Sequence, residues 1–196
     1  MSHWIKPPGR LSPHLRIGLL GGSFNPAHEG HRHVSEVARK ALGLHAVWWL
    51  VTPGNPLKRS SELADLITRT ALARQVAGAR ITVTDIEGAL GTRYTIDTLR
   101  ALKRRFPATR FVWLMGSDNL AGFGRWKDWA AIARLVPIAV VRRPGSPLAT
   151  LASPLIRRFG QARRLGPPPS VQILDGRRNR QSSTAIRMVL EPRLTL

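Results

Sequence analysis

Cysteine is absent from the 196-residue sequence, and lysine is scarce, since it supplies only five of the 31 basic residues. The lack of cysteine excludes a disulfide framework, a thiolate-bound zinc or iron–sulfur centre, and a cysteine nucleophile. Acidic residues are also few: the 11 aspartates and glutamates offset only part of the 31 basic residues, so the formal net charge is +20. This balance predicts acidic partners, such as nucleic acid, an anionic membrane or phosphorylated small molecules.

Long apolar runs are missing as well. No segment approaches the roughly 18 apolar residues that a membrane helix requires. The basic stretch 1–16 is followed by a short apolar run that stops at Gly21-Gly22, so no signal peptide is predicted. We therefore expect a loose tail over residues 1–14, one domain over residues 15–196 and a cytoplasmic location.

The basic residues form short clusters rather than a long basic arm. The clusters lie at residues 103–105, 157–158, 163–164 and 177–178. A nucleic-acid-binding module would require clustered basic residues with interleaved aromatics, or a helix-turn-helix pattern, and the sequence contains neither. A solvated basic surface is the favoured interpretation of each cluster. The nucleic-acid-binding module stays as the non-enzymatic alternative.

Short apolar runs alternate with amphipathic stretches, which is typical of an α/β fold with a mostly parallel sheet. The predicted strands are 15–20, 46–51, 80–84, 111–115, 137–141 and 171–174. The predicted helices are 29–42, 62–77, 95–105 and 183–190. Residues 145–170 are rich in proline, glycine and arginine, and they support no prediction of regular structure.

The segment between the first strand and the first helix is the most informative one. Residues 21–31 read Gly-Gly-Ser-Phe-Asn-Pro-Ala-His-Glu-Gly-His. Such a turn lies at the carboxyl end of a strand, where open α/β sheets bind ligands. Its glycines allow close approach of the backbone, and the following helix N-terminus offers free N–H groups to phosphate. His28 and His31 share one face of the first helical turn and can both donate hydrogen bonds to a polyphosphate.

Two other interpretations of this segment stay open. The two glycines could form an ordinary tight turn, and the histidines could bind zinc with His33 or Glu29 as a third ligand. The spacing lacks the glutamate of the zinc-protease motif, and no cysteine is available, so zinc is the weaker hypothesis.

Residues 182–187, Ser-Ser-Thr-Ala-Ile-Arg, are either an ordinary capped helix or a second helix N-terminus aimed at phosphate. Together with segment 21–31 they resemble the nucleotidylyltransferase superfamily with the His-x-Gly-His signature. Within it, the sequence is similar to the bacterial nicotinate-nucleotide adenylyltransferases over residues 15–190. Further matching stretches are Pro-Gly-Asn-Pro-Leu-Lys at 53–58, Tyr-Thr-Ile-Asp-Thr-Leu at 94–99, Gly-Ser-Asp at 116–118 and Arg-Arg-Pro-Gly at 142–145.

The resemblance implies a single Rossmann-like α/β domain with a mostly parallel sheet flanked by helices. It also implies adenylyl transfer from ATP to nicotinate mononucleotide, with release of pyrophosphate. The implied catalytic residues are His28, His31 and Arg187. The implied ATP-binding residues are Gly21, Gly22, Ser23, Phe24, Gly116, Asp118, Ser183, Thr184 and Arg187. The implied mononucleotide-binding residues are Asn55, Lys58, Thr95 and Trp126.

Magnesium is the implied cofactor, bound mainly by ATP phosphate oxygens and water rather than by protein side chains. Asn25 stands where many members of the family carry aspartate, so that carboxylate is not available as a ligand. Nicotinamide mononucleotide and phosphopantetheine are the alternative acceptors within the superfamily. The tryptophans other than Trp126 that lie in the domain are predicted to pack in the core: Trp48, Trp49, Trp113 and Trp129.

Overall fold

The computed structural model describes residues 7–8, 14–54, 63–143 and 152–176. The strands are β1 (Arg16–Gly22), β2 (Ala46–Val51), β3 (Ile81–Thr84), β4 (Arg110–Gly116), β5 (Ile138–Val141) and β6 (Val171–Leu174). The helices are α1 (Glu29–Leu42), α2 (Leu66–Val76), α3 (Ile86–Leu90), α4 (Thr95–Arg105), α5 (Leu120–Phe123), α6 (Trp129–Leu135) and α7 (Pro154–Phe159). A 3₁₀ helix, Ser117–Asn119, connects β4 to α5.

The strands form one parallel sheet in the order β3-β2-β1-β4-β5-β6. From β1 the sheet continues through β2 to β3 on one side, and from β4 it continues through β5 to β6 on the other side. The strand order therefore reverses between β1 and β4, which is the point where doubly wound sheets bind nucleotides. The predicted Rossmann-like α/β fold is confirmed.

Helices cover both faces of the sheet, because successive side chains of a strand point to opposite faces. Helices α1 and α2 pack on one face around Trp49, and α3 to α7 pack on the other around Trp48 and Trp113. Those three indoles are at most 2% exposed, so their predicted packing role is confirmed. Trp129 is partly buried against the second face.

Most predicted elements are present, with small changes at their ends. Helix α1 has the predicted bounds, whereas α2 begins at Leu66 because the Asp65 carboxylate caps it by accepting from the Thr68 N–H at 2.9 Å. The prediction of helix at 63–65 is therefore wrong. Helices α3, α5 and α7 span four to six residues, too few for a periodic pattern to reveal. The predicted helix 183–190 lies outside the described residues.

No helix in the described part of the chain is long and apolar enough to cross a membrane.

Candidate active site

The candidate site lies where β1 and β4 end side by side. The two strands pair in parallel from Arg16 and Arg110 onward, so the turns after Gly22 and Gly116 leave the same edge of the sheet. One turn carries the two histidines and the other carries Asp118. The fold thus brings together segments that are about 90 residues apart in the sequence, at the crevice where open α/β sheets bind ligands.

His28 and His31 cap helix α1 reciprocally. His28 is the N-cap residue, and its Nδ1 accepts from the Gly30 N–H at 3.0 Å. Nδ1 of His31 accepts from the His28 N–H at 3.3 Å, so each imidazole satisfies one main-chain donor. The two ring centroids are 3.9 Å apart. The prediction that the two histidines lie side by side at the start of the helix is confirmed.

At the start of α1, main-chain N–H groups that the sequence suggested would be free are hydrogen-bonded within the protein. Its Gly30 N–H is bound by His28 Nδ1, and its His31 N–H is bound by the His28 carbonyl at 2.9 Å. The expectation that these N–H groups stay free for phosphate is wrong, because the histidines cap the helix themselves. Since both Nδ1 atoms accept, each neutral ring carries its proton on Nε2. The Nε2–H groups are therefore the donors that the two imidazoles offer to a ligand.

Both imidazoles are neutral near pH 7. Burial, helped by the Arg143 guanidinium and opposed by Asp118, lowers the pKa of His28 from 6.5 to about 4. Burial also lowers the pKa of His31 to about 3, with His28 and Arg143 acting in the same direction. A neutral donor pair can hydrogen-bond the oxygens of a phosphate without becoming ionised.

Aromatic packing holds the His31 ring in place. Phe24 is 1% exposed and adopts a φ of 48°. Its ring lies 4.7 Å from the His31 ring and stacks 5.0 Å from Trp49. The Trp49 Nε1–H donates to Ser35 Oγ at 2.7 Å, and the Ser35 hydroxyl donates to the His31 carbonyl at 2.9 Å. The Phe24 side chain is therefore a support beneath His31, and only its main chain is available to a ligand.

The glycines before this turn allow tight packing of the strand end. A Cβ on Gly21 would come within 2.6 Å of the Trp113 ring, which is closer than real Cβ contacts. The Gly22 carbonyl accepts from the Thr52 N–H at 3.0 Å, which joins the ends of β1 and β2. Gly21 is thus required by packing, whereas a Cβ on Gly22 would meet the Phe24 ring at an ordinary distance of 3.4 Å. The close backbone approach to a ligand stays a prediction.

The turn after β4 adds an ion pair to the crevice. The Arg143 Nη1 lies 3.4 Å from Asp118 Oδ2, and the Arg143 N–H donates to Ser117 Oγ at 2.8 Å. A Cβ on Gly116 would collide with the Asp118 carboxylate and would lie 2.8 Å from Arg143 Nε. Gly116 therefore makes room for the ion pair. Arg143 follows β5, so three adjacent strands contribute to the site.

Thr95 and Trp126, which the resemblance assigns to the mononucleotide, are linked through contacts between their neighbours in the chain. Thr95 opens α4, and Trp126 packs edge-on against Trp113 with 6.0 Å between the ring centroids. Lys127, next to Trp126, pairs with Asp97 at 3.0 Å. The same ammonium lies 4.6 Å from the centroid of the Tyr94 ring, beside Thr95. Both Thr95 and Trp126 keep part of their surface exposed.

The second threonine of the Tyr-Thr-x-x-Thr-Leu stretch has a structural role. Thr98 Oγ1 donates to Oε1 of the buried Glu87 at 2.9 Å and lies 2.9 Å from Thr92 Oγ1. Burial raises the pKa of Glu87 above its usual value, against the smaller opposing effect of its hydrogen bonds to the Thr98 and Thr52 hydroxyls. This network joins α3 to the start of α4, and thereby fixes the position of Thr95.

Several predicted residues lie outside the described part of the chain: Asn55, Lys58, Ser183, Thr184 and Arg187. Sequence reasoning did not single out Arg143 as a site residue, although it belongs to the Arg-Arg-Pro-Gly stretch. It also did not single out Arg69. No local signal marks either arginine, because their contacts join segments far apart in the sequence.

The possible zinc ligands do not converge in the described residues. Glu29 pairs with Arg32 at 3.5 Å on the outer side of α1. Asn25 Oδ1 accepts from the Ala64 N–H at 3.3 Å. No group of three or more His, Cys, Asp or Glu side chains that could hold a metal ion occurs in the part of the chain that the structure describes.

A doubly wound parallel sheet with paired imidazole donors at its switch point defines an α/β protein suited to binding phosphate groups. Residues 19–189 match the family Cytidylyltransferase-like. A relative from Parvibaculum lavamentivorans, named probable nicotinate-nucleotide adenylyltransferase, is 50% identical over 187 residues, which covers 90% of this chain and 93% of the relative. A relative of the same name from Rhizobium meliloti is 48% identical over 183 residues, covering 88% and 97% of the two chains.

The comparison with solved structures shows the same fold. Nicotinic acid mononucleotide adenylyltransferase of Plasmodium falciparum, complexed with NaAD, aligns with a TM-score of 0.71 at 18% identity. The alignment covers 90% of this chain and 84% of that one. The chain therefore belongs to the Cytidylyltransferase-like family, among relatives that carry the name nicotinate-nucleotide adenylyltransferase.

Proposed function

We propose that the protein transfers the adenylyl group of ATP to nicotinate mononucleotide and forms deamido-NAD and pyrophosphate. The single observation that carries this proposal is the neutral His28–His31 pair at the β1–β4 switch point. Its two Nε2–H donors suit the oxygens of a triphosphate. The names of relatives at about 50% identity over most of the chain support the choice of acceptor.

In this reaction a phosphate oxygen of the mononucleotide attacks the α-phosphorus of ATP, and the bond from that phosphorus to the β-phosphate bridging oxygen breaks. The nucleophile is already an anion, so the site needs no general base. The protein must align the two phosphates in line and stabilise negative charge that builds on the triphosphate. His28 and His31 supply hydrogen bonds for this purpose, and Arg187 is assigned the matching cationic role.

The remaining assignments divide the site into two halves. Gly21, Gly22, Ser23, Phe24 and Gly116 present main chain to ATP, and Asp118 accepts hydrogen bonds from its ribose. Ser183 and Thr184 are assigned to the phosphates. The residues assigned to the mononucleotide are Asn55, Lys58, Thr95 and Trp126.

Magnesium is proposed to bind together with ATP, through its phosphate oxygens, rather than to be held by protein side chains. Mg²⁺ prefers oxygen ligands and keeps several waters, whereas the two histidines present N–H donors that suit phosphate oxygens. The residues thus fit an ion carried by the phosphates. When bound, it would neutralise part of the triphosphate charge.

The substrate choice is tested by comparing acceptors side by side. At saturating ATP and magnesium, we expect kcat/KM for nicotinate mononucleotide to exceed that for nicotinamide mononucleotide at least tenfold. Main-chain N–H donors near Thr95 and Trp126 would pair both oxygens of a carboxylate but oppose the NH₂ of an amide. Such a mismatch costs roughly 1–3 kcal/mol, a factor of about 5 to 150.

Each outcome of this assay has a distinct meaning. Equal specificity constants would contradict the acceptor preference but keep adenylyl transfer. Turnover with phosphopantetheine alone would assign the protein to another branch of the superfamily. If none of these acceptors leads to release of pyrophosphate, the proposed function is contradicted altogether.

Trp126 tests the division of the site. Replacement by alanine should raise KM for nicotinate mononucleotide severalfold and leave KM for ATP nearly unchanged, because stacking on the pyridine ring is a ground-state contact. Trp129→Ala is the matched control, since the Trp129 ring packs edge-on against Phe159 with 6.2 Å between the centroids. A defect selective for ATP would place Trp126 on the adenine side instead.

A further inference from the structure

Arg69 of helix α2 is a buried cation whose guanidinium donates hydrogen bonds to four main-chain carbonyls. The residue is only 2% exposed. Its Nη1 donates to the Ser23 carbonyl at 2.7 Å and to the Thr52 carbonyl at 2.9 Å. Its Nε donates to the Ala64 carbonyl at 2.7 Å, and its Nη2 to the Pro53 carbonyl at 3.2 Å.

The four carbonyls belong to three separate segments. Ser23 follows β1, Thr52 and Pro53 follow β2, and Ala64 precedes α2. A guanidinium stays protonated in proteins, and burying it without a carboxylate is unfavourable unless its donors are satisfied. The nearby Asp65 carboxylate instead binds Thr68, through the N–H at 2.9 Å and the hydroxyl at 2.6 Å. A buried methionine or leucine would fill this space at lower cost, so packing alone does not account for an arginine here.

The β1–β2 ladder ends at the Thr52 carbonyl, which Arg69 contacts. Gly22 is paired with Val51, and its carbonyl accepts from the Thr52 N–H. In a parallel ladder the next hydrogen bond would run from the Phe24 N–H to the Thr52 carbonyl. In this structure the Thr52 carbonyl accepts from Arg69 Nη1, and the ladder bond is not formed. Among the described residues, the Phe24 N–H has no main-chain hydrogen-bond partner.

The contact with Ser23 orients the same peptide unit. In a trans peptide the carbonyl and the N–H of one unit point in opposite directions. Because the Ser23 carbonyl points to Arg69, the Phe24 N–H points away from it. The turn that leads to His28 and His31 therefore starts from a peptide plane that Arg69 holds.

We propose that Arg69 is a positioning residue for adenylyl transfer, which orients the Ser23–Phe24 peptide and ends the β1–β2 ladder so that the Phe24 N–H is left for a phosphate oxygen. This inference rests on the proposed function. It adds a residue that does not contact substrate but holds the turn in place through hydrogen bonds to the Ser23 and Thr52 carbonyls.

Arg69→Lys is the informative variant, because lysine keeps the charge but loses the planar fork that reaches several carbonyls at once. We expect kcat to fall at least tenfold while KM for nicotinate mononucleotide changes less than threefold. Arg74→Lys, at an exposed position of the same helix, is the matched control and should keep wild-type constants. Thermal unfolding of each variant, measured in parallel, separates loss of folded protein from loss of turnover.

Arg69→Ala provides a second readout. Guanidinium at low millimolar concentration should restore part of its kcat, whereas ethylammonium should not, because only guanidinium can reproduce the forked donors. A folded Arg69→Lys variant with kcat within twofold of wild type would overturn the inference. Unfolding of both variants at 25 °C would also overturn it, since Arg69 would then serve the fold as a whole. An inactive wild-type enzyme would count against the proposed function instead.

Discussion

Replacing His31 by alanine should lower kcat about a hundredfold or more and destabilise the fold by only about 1–2 kcal/mol. The large kinetic effect is expected because the Nε2–H acts on charge that develops in the transition state, where loss of one preorganised donor costs about that factor. The smaller stability effect reflects the lost bond to the His28 N–H and the lost ring contact with Phe24. Steady-state kinetics and urea unfolding measure the two quantities.

His31→Asn separates the two roles of this side chain. The asparagine amide oxygen can take the place of Nδ1 and accept from the His28 N–H, but the side chain is too short to place a donor where Nε2 lies. We therefore expect a smaller loss of stability than in His31→Ala, because only the ring contact with Phe24 is lost, together with the same loss of kcat. His45→Ala, at an exposed position just before β2, is the control for histidine removal. A folded His31→Ala enzyme with near-wild-type kcat would rule out the phosphate-donor role.

The fold was predictable because its signals are local. Each strand is a short apolar run closed by glycine, proline or a charged residue, and α1 shows apolar side chains at helical spacing on the side that packs against the sheet. The position of the histidines at the crevice follows from their place just after the first strand. The family then followed from motifs in the right order.

The hydrogen bonds of the site could not be predicted in the same way. Histidine is not a usual N-cap residue, so the sequence suggested free N–H groups where the structure has a closed reciprocal cap. Arg69 contacts a carbonyl 46 residues away, and the Arg143 N–H donates to a hydroxyl 26 residues away. Such contacts depend on which strands become neighbours, and no spacing along the chain encodes them.

The buried histidines also predict how stability depends on pH. Their folded-state pKa values, about 4 for His28 and about 3 for His31, lie below the value near 6.5 of an unfolded chain. Below pH 6.5 the unfolded state therefore binds protons that the native state does not, and stability falls as pH falls toward 4. At pH 5 each histidine should lower the free energy of unfolding by about 2 kcal/mol relative to pH 7, and the two together by up to about 4 kcal/mol. Glu87 has the opposite effect on stability. Burial raises its pKa, so the folded state binds a proton more readily than the unfolded state, and its contribution to stability rises as pH falls.

Urea unfolding of the ligand-free protein at pH 7 and pH 5, in buffers without phosphate, measures this loss. The variant carrying both His28→Gln and His31→Gln keeps polar side chains at the two positions but cannot titrate there. It should begin less stable than the wild type at pH 7, because the reciprocal cap is altered, yet lose about 4 kcal/mol less between the two pH values. The comparison depends on the slope with pH rather than on absolute stability, so a general weakening of the fold cannot imitate it. Equal slopes for the wild type and the double variant would mean that the imidazoles titrate in the native state near 6.5, as they do in an unfolded chain. In that case burial would not hold the pair neutral, and below pH 6.5 imidazolium charge rather than a neutral donor pair would face the triphosphate.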